Sequence, residues 1–330
     1  MLLENKRRLL ADKKMLKTEI AAELYRKYYF LLFEIAKDLK NSNVKEIKVT
    51  ADSVVLITKR ENISLKCLEG EMTAALGHLI LAGAERDEQG MLIALVKELI
   101  AAKGGDNSKV VFFDIGANIG WYSICLEKLF KGLQIHAFEP VKAAYEQFLV
   151  NLSLNQTGPV RANNFGLANA DQTVDFYVSP SLLAASSLAD TFKADDKVKI
   201  KGEVKRLDDY CRANAVTPDL IKCDVEGAEL LVFKGAKKML SEARPVVMTE
   251  LLRKWSKCFH YHPNDVIEYF GNIGYSCYVL SGGRLRPFGA VTEDTIETNY
   301  FFLHDEKHSE LIQRVATPVS GEVGYGKNNK

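Results

Sequence analysis

The chain reads as an α/β protein with a mostly parallel sheet covered by helices on both faces. Three observations predict this. Residues 110–114 are an apolar run ending in Asp114, and the glycine turn Gly116-Ala117-Asn118-Ile119-Gly120 leads into a helical segment at Trp121. A buried strand, a tight turn and a helix N-terminus form the first half of a βαβ nucleotide site. A second apolar strand, 133–138, ends in Glu139-Pro140, at the roughly 20-residue distance where an acid grips a ribose diol in such sites. From Val110 onward strand-like and helix-like segments alternate, which argues a parallel sheet.

In chain order, residues 1–40 predict one long helix. No Gly or Pro interrupts them, and Leu9, Leu16, Ile20, Leu24, Leu31, Ile35 and Leu39 recur at steps of four and seven, near one face. Asp12 and Lys13 interrupt that seam, so a long coiled coil does not follow. Two readings stand: a helix packed on its own domain, or a docking arm that makes a homodimer. The most apolar patch is 28–33, which Glu34 ends. Asn41 and Asn43 break the helix. Strand-like runs at 53–58 and 63–68 flank the turn Lys59-Arg60-Glu61-Asn62 and predict a hairpin, serving as a lid or an extra edge. Helices are expected at 72–82 and 90–102, and Gly104-Gly105-Asp106-Asn107-Ser108 is a linker. The division is then 1–40 as arm, 41–103 packed on the core, 104–315 as main domain, and 316–330 as a polar, Gly-rich tail.

Within the main domain, strands are expected at 110–114, 133–138 and 159–163, with helices at 120–131 and 142–154. The rhythm breaks at 165–187, where a strand at 174–178 precedes a Ser- and Ala-rich loop at 179–187. A strand at 197–207 and a short helix at 208–213 follow. The rhythm returns with strand 220–223, ending in Asp224, and helix 228–241. Strand 245–249 ends in Glu250, then come helix 264–271 and strands 275–280 and 299–303.

Composition limits the partners. The 330 residues are 47% hydrophobic and 26% charged, with net charge +1. This is the profile of a soluble globular protein with no basic surface for nucleic acid. The cysteines, Cys67, Cys125, Cys211, Cys223, Cys258 and Cys277, are scattered without a C-x-x-C pair. That pattern suits a reduced cytoplasmic protein and no zinc site. Lys and Arg follow only two leucines at the start, so no signal peptide is expected. No apolar run approaches the ~20 residues of a membrane span.

Three stretches resemble the FkbM-type methyltransferases, a family dependent on S-adenosylmethionine: FFDIGANIGWYS at 112–123, IHAFEP at 135–140 and, most specific, IKCDVEGAELLVFKGA at 221–236. Weaker echoes are NNFGLA, SSL, RLDDYC, MTEL and the closing YFFL, so the likeness covers roughly residues 80 to 305 and leaves out the first 40. The resemblance implies a class I methyltransferase (Rossmann-like) sheet of seven strands, the last antiparallel and inserted between two earlier ones. It implies that Asp114, Gly116, Asn118 and Gly120 line the methionine part of the donor and Glu139 holds its ribose. Asn164 and Phe165 flank its adenine. The family's turn reads Asn-Ala-Ala-Leu-Gly where this chain has Asn164-Phe165-Gly166-Leu167-Ala168. It implies O-methylation of a hydroxyl on a sugar, glycan or secondary metabolite.

The residues agree on the donor. A dinucleotide enzyme needs G-x-G-x-x-G to approach a pyrophosphate, and this turn is D-x-G-x-N-x-G. Acids suit a cationic donor with a ribose diol and would repel a pyrophosphate, although either acid taken alone also reads as a solvated strand end. The missing glycine weighs against a nicotinamide-dependent oxidoreductase. A non-enzymatic module that kept the fold to organise a glycan-assembly complex is the other alternative.

For the chemistry, a hydroxyl is a poor nucleophile at neutral pH, so a general base helps. Asp224 and Glu226 are the candidate bases, Glu226 ahead because it lies beyond the strand tip. Asp224, Glu226 and Glu250 could instead gather a divalent metal that acidifies the acceptor. A third reading makes these acids caps of the helix that starts near Gly227, with Glu226 and Glu229 both fitting well. His136 reads as strand packing, and His260 and His262 as a loop at the sheet edge.

Overall fold

A computed structural model of the protein describes residues 17–70, 86–181, 186–190 and 195–316. The predictions for 1–16, for helix 72–82, for 182–185 of the serine-rich loop and for the tail at 317–330 lie outside those residues.

The long N-terminal helix forms over its described part. Helix α1 (Lys17–Leu24) passes through a π-helical stretch, Tyr25–Tyr29, into α2 (Phe30–Leu39). Its end is clasped by Lys59, whose Nζ donates to the carbonyls of Leu39 (2.5 Å), Lys40 (3.0 Å) and Ser42 (2.7 Å). A cation on the last carbonyls satisfies groups that have no intrahelical donor.

The hairpin is there with one strand more than expected. Strands β1 (Val44–Val49), β2 (Val54–Thr58) and β3 (Ser64–Cys67) make a separate antiparallel sheet in that order, so the hairpin adds no edge to the main sheet. Strand β1, VKEIKV, buries only Val44 and owes its conformation to pairing with β2.

Helix α3 (Arg86–Ala102) precedes β4 (Val111–Ile115), in which every residue is buried. Then follow α4 (Trp121–Leu129), β5 (Gln134–Phe138), α5 (Lys142–Asn155) and β6 (Val160–Asn163). Helix α5 holds the small sheet through side chains one turn apart. Gln147 Nε2 donates to the Lys66 carbonyl, Asn151 Oδ1 accepts from Lys66 N, and Asn155 Oδ1 accepts from Ser64 N. This amide ladder pairs the edge backbone of β3, which would otherwise lie unpaired. Val44, Leu56, Ile63 and Leu65 pack there with Ile119 and Phe148.

The break in rhythm is a second small sheet of β7 (Gly166–Leu167), β8 (Gln172–Val178) and β9 (Val198–Lys205), ordered β7-β9-β8. After α6 (Leu207–Asn214) come β10 (Leu220–Cys223), α7 (Glu229–Gly235) and α8 (Lys237–Glu242). The single helix expected at 228–241 is therefore two. It breaks at Gly235, where a Cβ would stand 2.0 Å from the Ala168 carbonyl oxygen. The chain closes with β11 (Val246–Glu250), α9 (Arg253–Ser256), α10 (Pro263–Gly271), β12 (Tyr275–Ser281), β13 (Arg284–Pro287), β14 (Asn299–His304) and α11 (Ser309–Val315).

The main sheet runs β13-β12-β14-β11-β10-β4-β5-β6. Strands β6, β5, β4, β10 and β11 are parallel, and β14 lies antiparallel between β11 and β12. This is the expected α/β fold, with eight strands instead of seven. The eighth, β13, is a hairpin partner of β12 made by the turn Gly282-Gly283, both glycines at positive φ. Strand order reverses at β4, between β5 and β10, and ligands bind outside the carboxyl ends at such a switch point. Asp114, Glu139, Asp224 and Glu250 all lie at that edge.

Candidate active site

At β4 the apolar run buries Asp114 with it. Asp114 is 1% exposed. Its Oδ2 accepts from Ser123 N (3.1 Å) and Ser123 Oγ (2.6 Å) on α4, while Oδ1 is buried with no partner. Burial pushes its carboxyl above the ordinary range, and the Lys222 ammonium and the Ser123 donors oppose this. A buried oxygen without a donor leaves one strong acceptor unused at the turn.

The turn itself is pinned from both sides. Gly116 N and Ala117 N donate to the Phe138 carbonyl, each at 3.0 Å. Gly116 has φ +78°, and a Cβ there would lie 1.8 Å from the Asp224 carbonyl oxygen. Asn118 has φ +49° and donates its N–H to Glu139 Oε2 at 2.9 Å. Gly120, at φ +88°, faces the Phe148 ring, which a Cβ would meet at 2.0 Å. Packing against α5 is therefore by itself enough to require this glycine.

Glu139 is 6% exposed, and its other oxygen, Oε1, accepts from Val141 N at 2.8 Å. Burial pushes it up to about 7 against the pull of those two amides. Asn164 Nδ2 donates to the Glu139 carbonyl at 2.9 Å, tying the end of β6 to the end of β5. The Phe165 ring lies 5.7 Å from Phe138 and 5.9 Å from Tyr210, with Lys205 Nζ 4.3 Å over it. His136 is packing, as read: its Nδ1 sits 2.7 Å from the Tyr210 hydroxyl, and burial lowers it to about 4.

On the other side of the switch point, Asp224 N donates to the Ile115 carbonyl, and Asp224 Oδ2 lies 3.1 Å from Lys222 Nζ. Lys222 is a residue the sequence reading passed over. Its side chain is 7% exposed inside β10, and its Nζ also lies 4.7 Å over the Tyr122 ring. It is opposite Asp114 in the β10–β4 register. One buried ammonium therefore serves both Asp114 and Asp224. The signal was available: a lone lysine in the apolar run LIKC, which must find acids if it is buried.

Glu226 stands apart from the other acids. It is half-buried at φ +56°, a conformation that costs a side-chain-bearing residue energy. Burial first, then Asp224, Glu250 and Glu229, push its carboxyl up to about 10, with Lys254 opposing. Ser187 Oγ donates to the Glu226 carbonyl at 3.0 Å, and Ser187 bridges to Tyr177. The far end of the serine-rich loop therefore lands beside Glu226.

Glu229 does not cap α7, whose N-cap Ala228 carries no side-chain cap, but fastens the loop that leads into it. Its Oε1 accepts from Val225 N and Gly227 N, each at 3.1 Å, and its Oε2 accepts from the Tyr261 hydroxyl at 3.0 Å. His262 and Asp265 form the capping box that starts α10. The structure lends the metal alternative no support. Among the described residues no three His, Cys, Asp or Glu side chains are gathered to hold an ion. Asp224 Oδ2 faces Lys222, and Glu250 acts on Glu226 as a neighbouring charge.

Residues 114–277 match the family described as methyltransferase FkbM domain. The chain carries an FkbM methyltransferase domain. The matched span is narrower than the 80–305 suggested by the motifs, and it holds Asp114 through the capping box of α10. The FkbM domain of this chain is 33% identical over 151 residues to Methyltransferase sdnD of Sordaria araneosa, covering 37% of this chain and 58% of that one. Hexuronic acid methyltransferase AglP of Haloferax volcanii is 29% identical over 165 residues, covering 49% and 62%. The chain spans about three fifths of the length of these curated relatives. The crystal structure of methyltransferase FkbM from Methylobacillus flagellatus KT aligns at 20% identity with TM-score 0.36, over 59% of this chain and 44% of that one.

Proposed function

We propose that the chain is an S-adenosylmethionine-dependent methyltransferase acting on a hydroxyl of a sugar, glycan or small metabolite. One observation carries the donor assignment: the partnerless Asp114 Oδ1 at a glycine turn that also faces buried Glu139. Two acids there fit a donor bearing an ammonium, a sulfonium and a ribose diol, and they do not fit a pyrophosphate. When bound, the donor supplies an electrophilic methyl group. Asp114 would hold its methionine part, Glu139 its ribose, and Asn164 and Phe165 the adenine side.

The residues beyond the switch point handle the acceptor. Alignment of the acceptor oxygen supplies much of the rate, and Glu226 is the base that takes the hydroxyl proton. In the ligand-free protein Glu226 keeps its own proton at neutral pH, because its carboxyl is pushed up to about 10. Glu226 first releases that proton to solvent, and a positive charge bound in the neighbouring pocket favours its ionised form, which links its readiness to occupancy of that pocket. Asp224, held by Lys222, shapes that field.

A sugar acceptor is supported by the likeness to a hexuronic acid methyltransferase. The six cysteines are all free, which suits the reducing cytoplasm. Calorimetry with S-adenosylhomocysteine and with NAD tests the donor; heat with NAD alone would overturn it. Mass spectrometry of acceptor mixtures then looks for the gain of one methyl group.

A further inference from the structure

The largest anomaly of the molecule lies far from its acids. Every residue from Tyr25 to Phe33 is exposed. Tyr25, Tyr29, Phe30, Leu31, Leu32 and Phe33 are each between 52% and 60% exposed. At about 100° per residue, the five consecutive residues from Tyr29 to Phe33 go once round the helix. An apolar stripe would suit a partner helix or a protein face. A full apolar girdle does not, because a flat partner covers one side and leaves the rest in water. What covers a girdle is a surrounding apolar medium.

The segment is too short to cross a membrane, and no described helix is long and apolar enough to do so. Its make-up is that of a membrane-interface segment: tyrosines at one end, Phe and Leu at the other, and exposed Arg26 and Lys27 among the tyrosines. Charge agrees. Residues 1–40 carry ten Lys and Arg against six Asp and Glu, while the whole chain is only +1, so the remainder is net acidic. In sequence, the net-basic stretch is also the one that holds the apolar run. The helix is also held at its base, where Lys59 clasps its last carbonyls and Leu39 packs on the small sheet.

We propose that the Tyr25–Phe33 girdle docks the protein on the surface of an anionic lipid bilayer. Phe30, Leu31, Leu32 and Phe33 sink to the acyl boundary, and Arg26 and Lys27 meet the headgroups. The idea is independent of the donor and acceptor assignments.

The test is flotation of the full chain with vesicles of equal parts phosphatidylcholine and phosphatidylglycerol, and with phosphatidylcholine alone. The full chain is expected to float with the mixed vesicles and less with the neutral ones. Leu31→Ser, Leu32→Ser and Phe33→Ser combined should cut partition at least ~10-fold, given the apolar area removed from the lipid boundary. Far-UV circular dichroism checks that the helix persists in that variant. Arg26→Glu with Lys27→Glu should lose the preference for anionic vesicles. Three results would overturn the proposal: no flotation of the full chain, equal flotation with neutral vesicles, or flotation untouched by the triple substitution. A dimer in light scattering that the triple substitution dissolves, with no flotation, would assign the girdle to a second copy.

Discussion

The two sides of the switch point hold their acids differently. On the β4–β5 side, Asp114 and Glu139 are almost fully buried, and both accept hydrogen bonds from the backbone: Ser123 N for the first, Asn118 N and Val141 N for the second. On the β10–β11 side, Asp224 leans on one lysine, and Glu226 sits in a left-handed conformation among like charges. The first side is a preformed cradle whose shape is written into the main chain. The second keeps a carboxyl in a costly state. Costly local states persist where function needs them, and the contrast fits the proposed division into a donor-binding half and a reacting half.

The contrast can be broken most severely at Gly116, where the halves touch. Gly116→Ala would place a Cβ 1.8 Å from the Asp224 carbonyl oxygen at φ +78°, and the expected loss is more than about 3 kcal/mol. Gly132→Ala is the control, with positive φ and open space around it. It should cost only about 1 kcal/mol. Equal melting temperatures for the two variants would refute the contact.

Glu226→Gln sharpens the functional half. Turnover should fall on the order of 10²-fold, while affinity for S-adenosylhomocysteine stays. Glu139→Gln does the reverse. It should weaken binding of S-adenosylhomocysteine by about 1–3 kcal/mol, and it should also lower the melting temperature, because an amide NH₂ would face a backbone N–H. A Gln at 139 that spared affinity would remove Glu139 from the cradle.

The proton on Glu226 has a stability signature. Its folded value, about 10, is raised above the ordinary 4.5. Above pH 4.5 the unfolded chain ionises this group while the folded chain keeps it protonated, so the penalty for folding grows as pH rises toward 10. The melting temperature of Glu226→Gln relative to the parent should therefore climb between pH 5 and pH 9. A difference that stays flat would mean that Glu226 is ionised in the fold. The smallest effect is expected at Tyr261→Phe, which removes the hydroxyl that donates to Glu229. It should cost about 1 kcal/mol and leave turnover unchanged; a large fall in turnover would place Tyr261 in the reaction.

Much of this was legible in the sequence because it rests on short-range pattern. The strand–turn–helix at 111–129 and the acids at the strand tips follow from periodicity and glycine spacing. Strands β1 and β13 did not follow, since VKEIKV and RLRP are charged edge strands that only their partners make into strands. The Gly282-Gly283 turn was the one local clue to β13. Lys222 was missed for another reason: its place in LIKC marked it as buried, but the two acids it serves come together only in the folded sheet. The packing demand on Gly120 was not legible either, because Phe148 reaches it from a helix 28 positions away.

The Lys59 clasp has a consequence for how the molecule meets its surroundings. Three carbonyls at the end of α2 are fastened to one ammonium on the small sheet. That sheet is fastened to α5 by the ladder of Gln147, Asn151 and Asn155, and α5 presses Phe148 against Gly120 at the glycine turn. The helix is thus the far end of a braced strut, not a tether. Whatever surface takes hold of it sets the attitude of the whole carboxyl edge, deciding which acceptors approach head-on and which never come within reach.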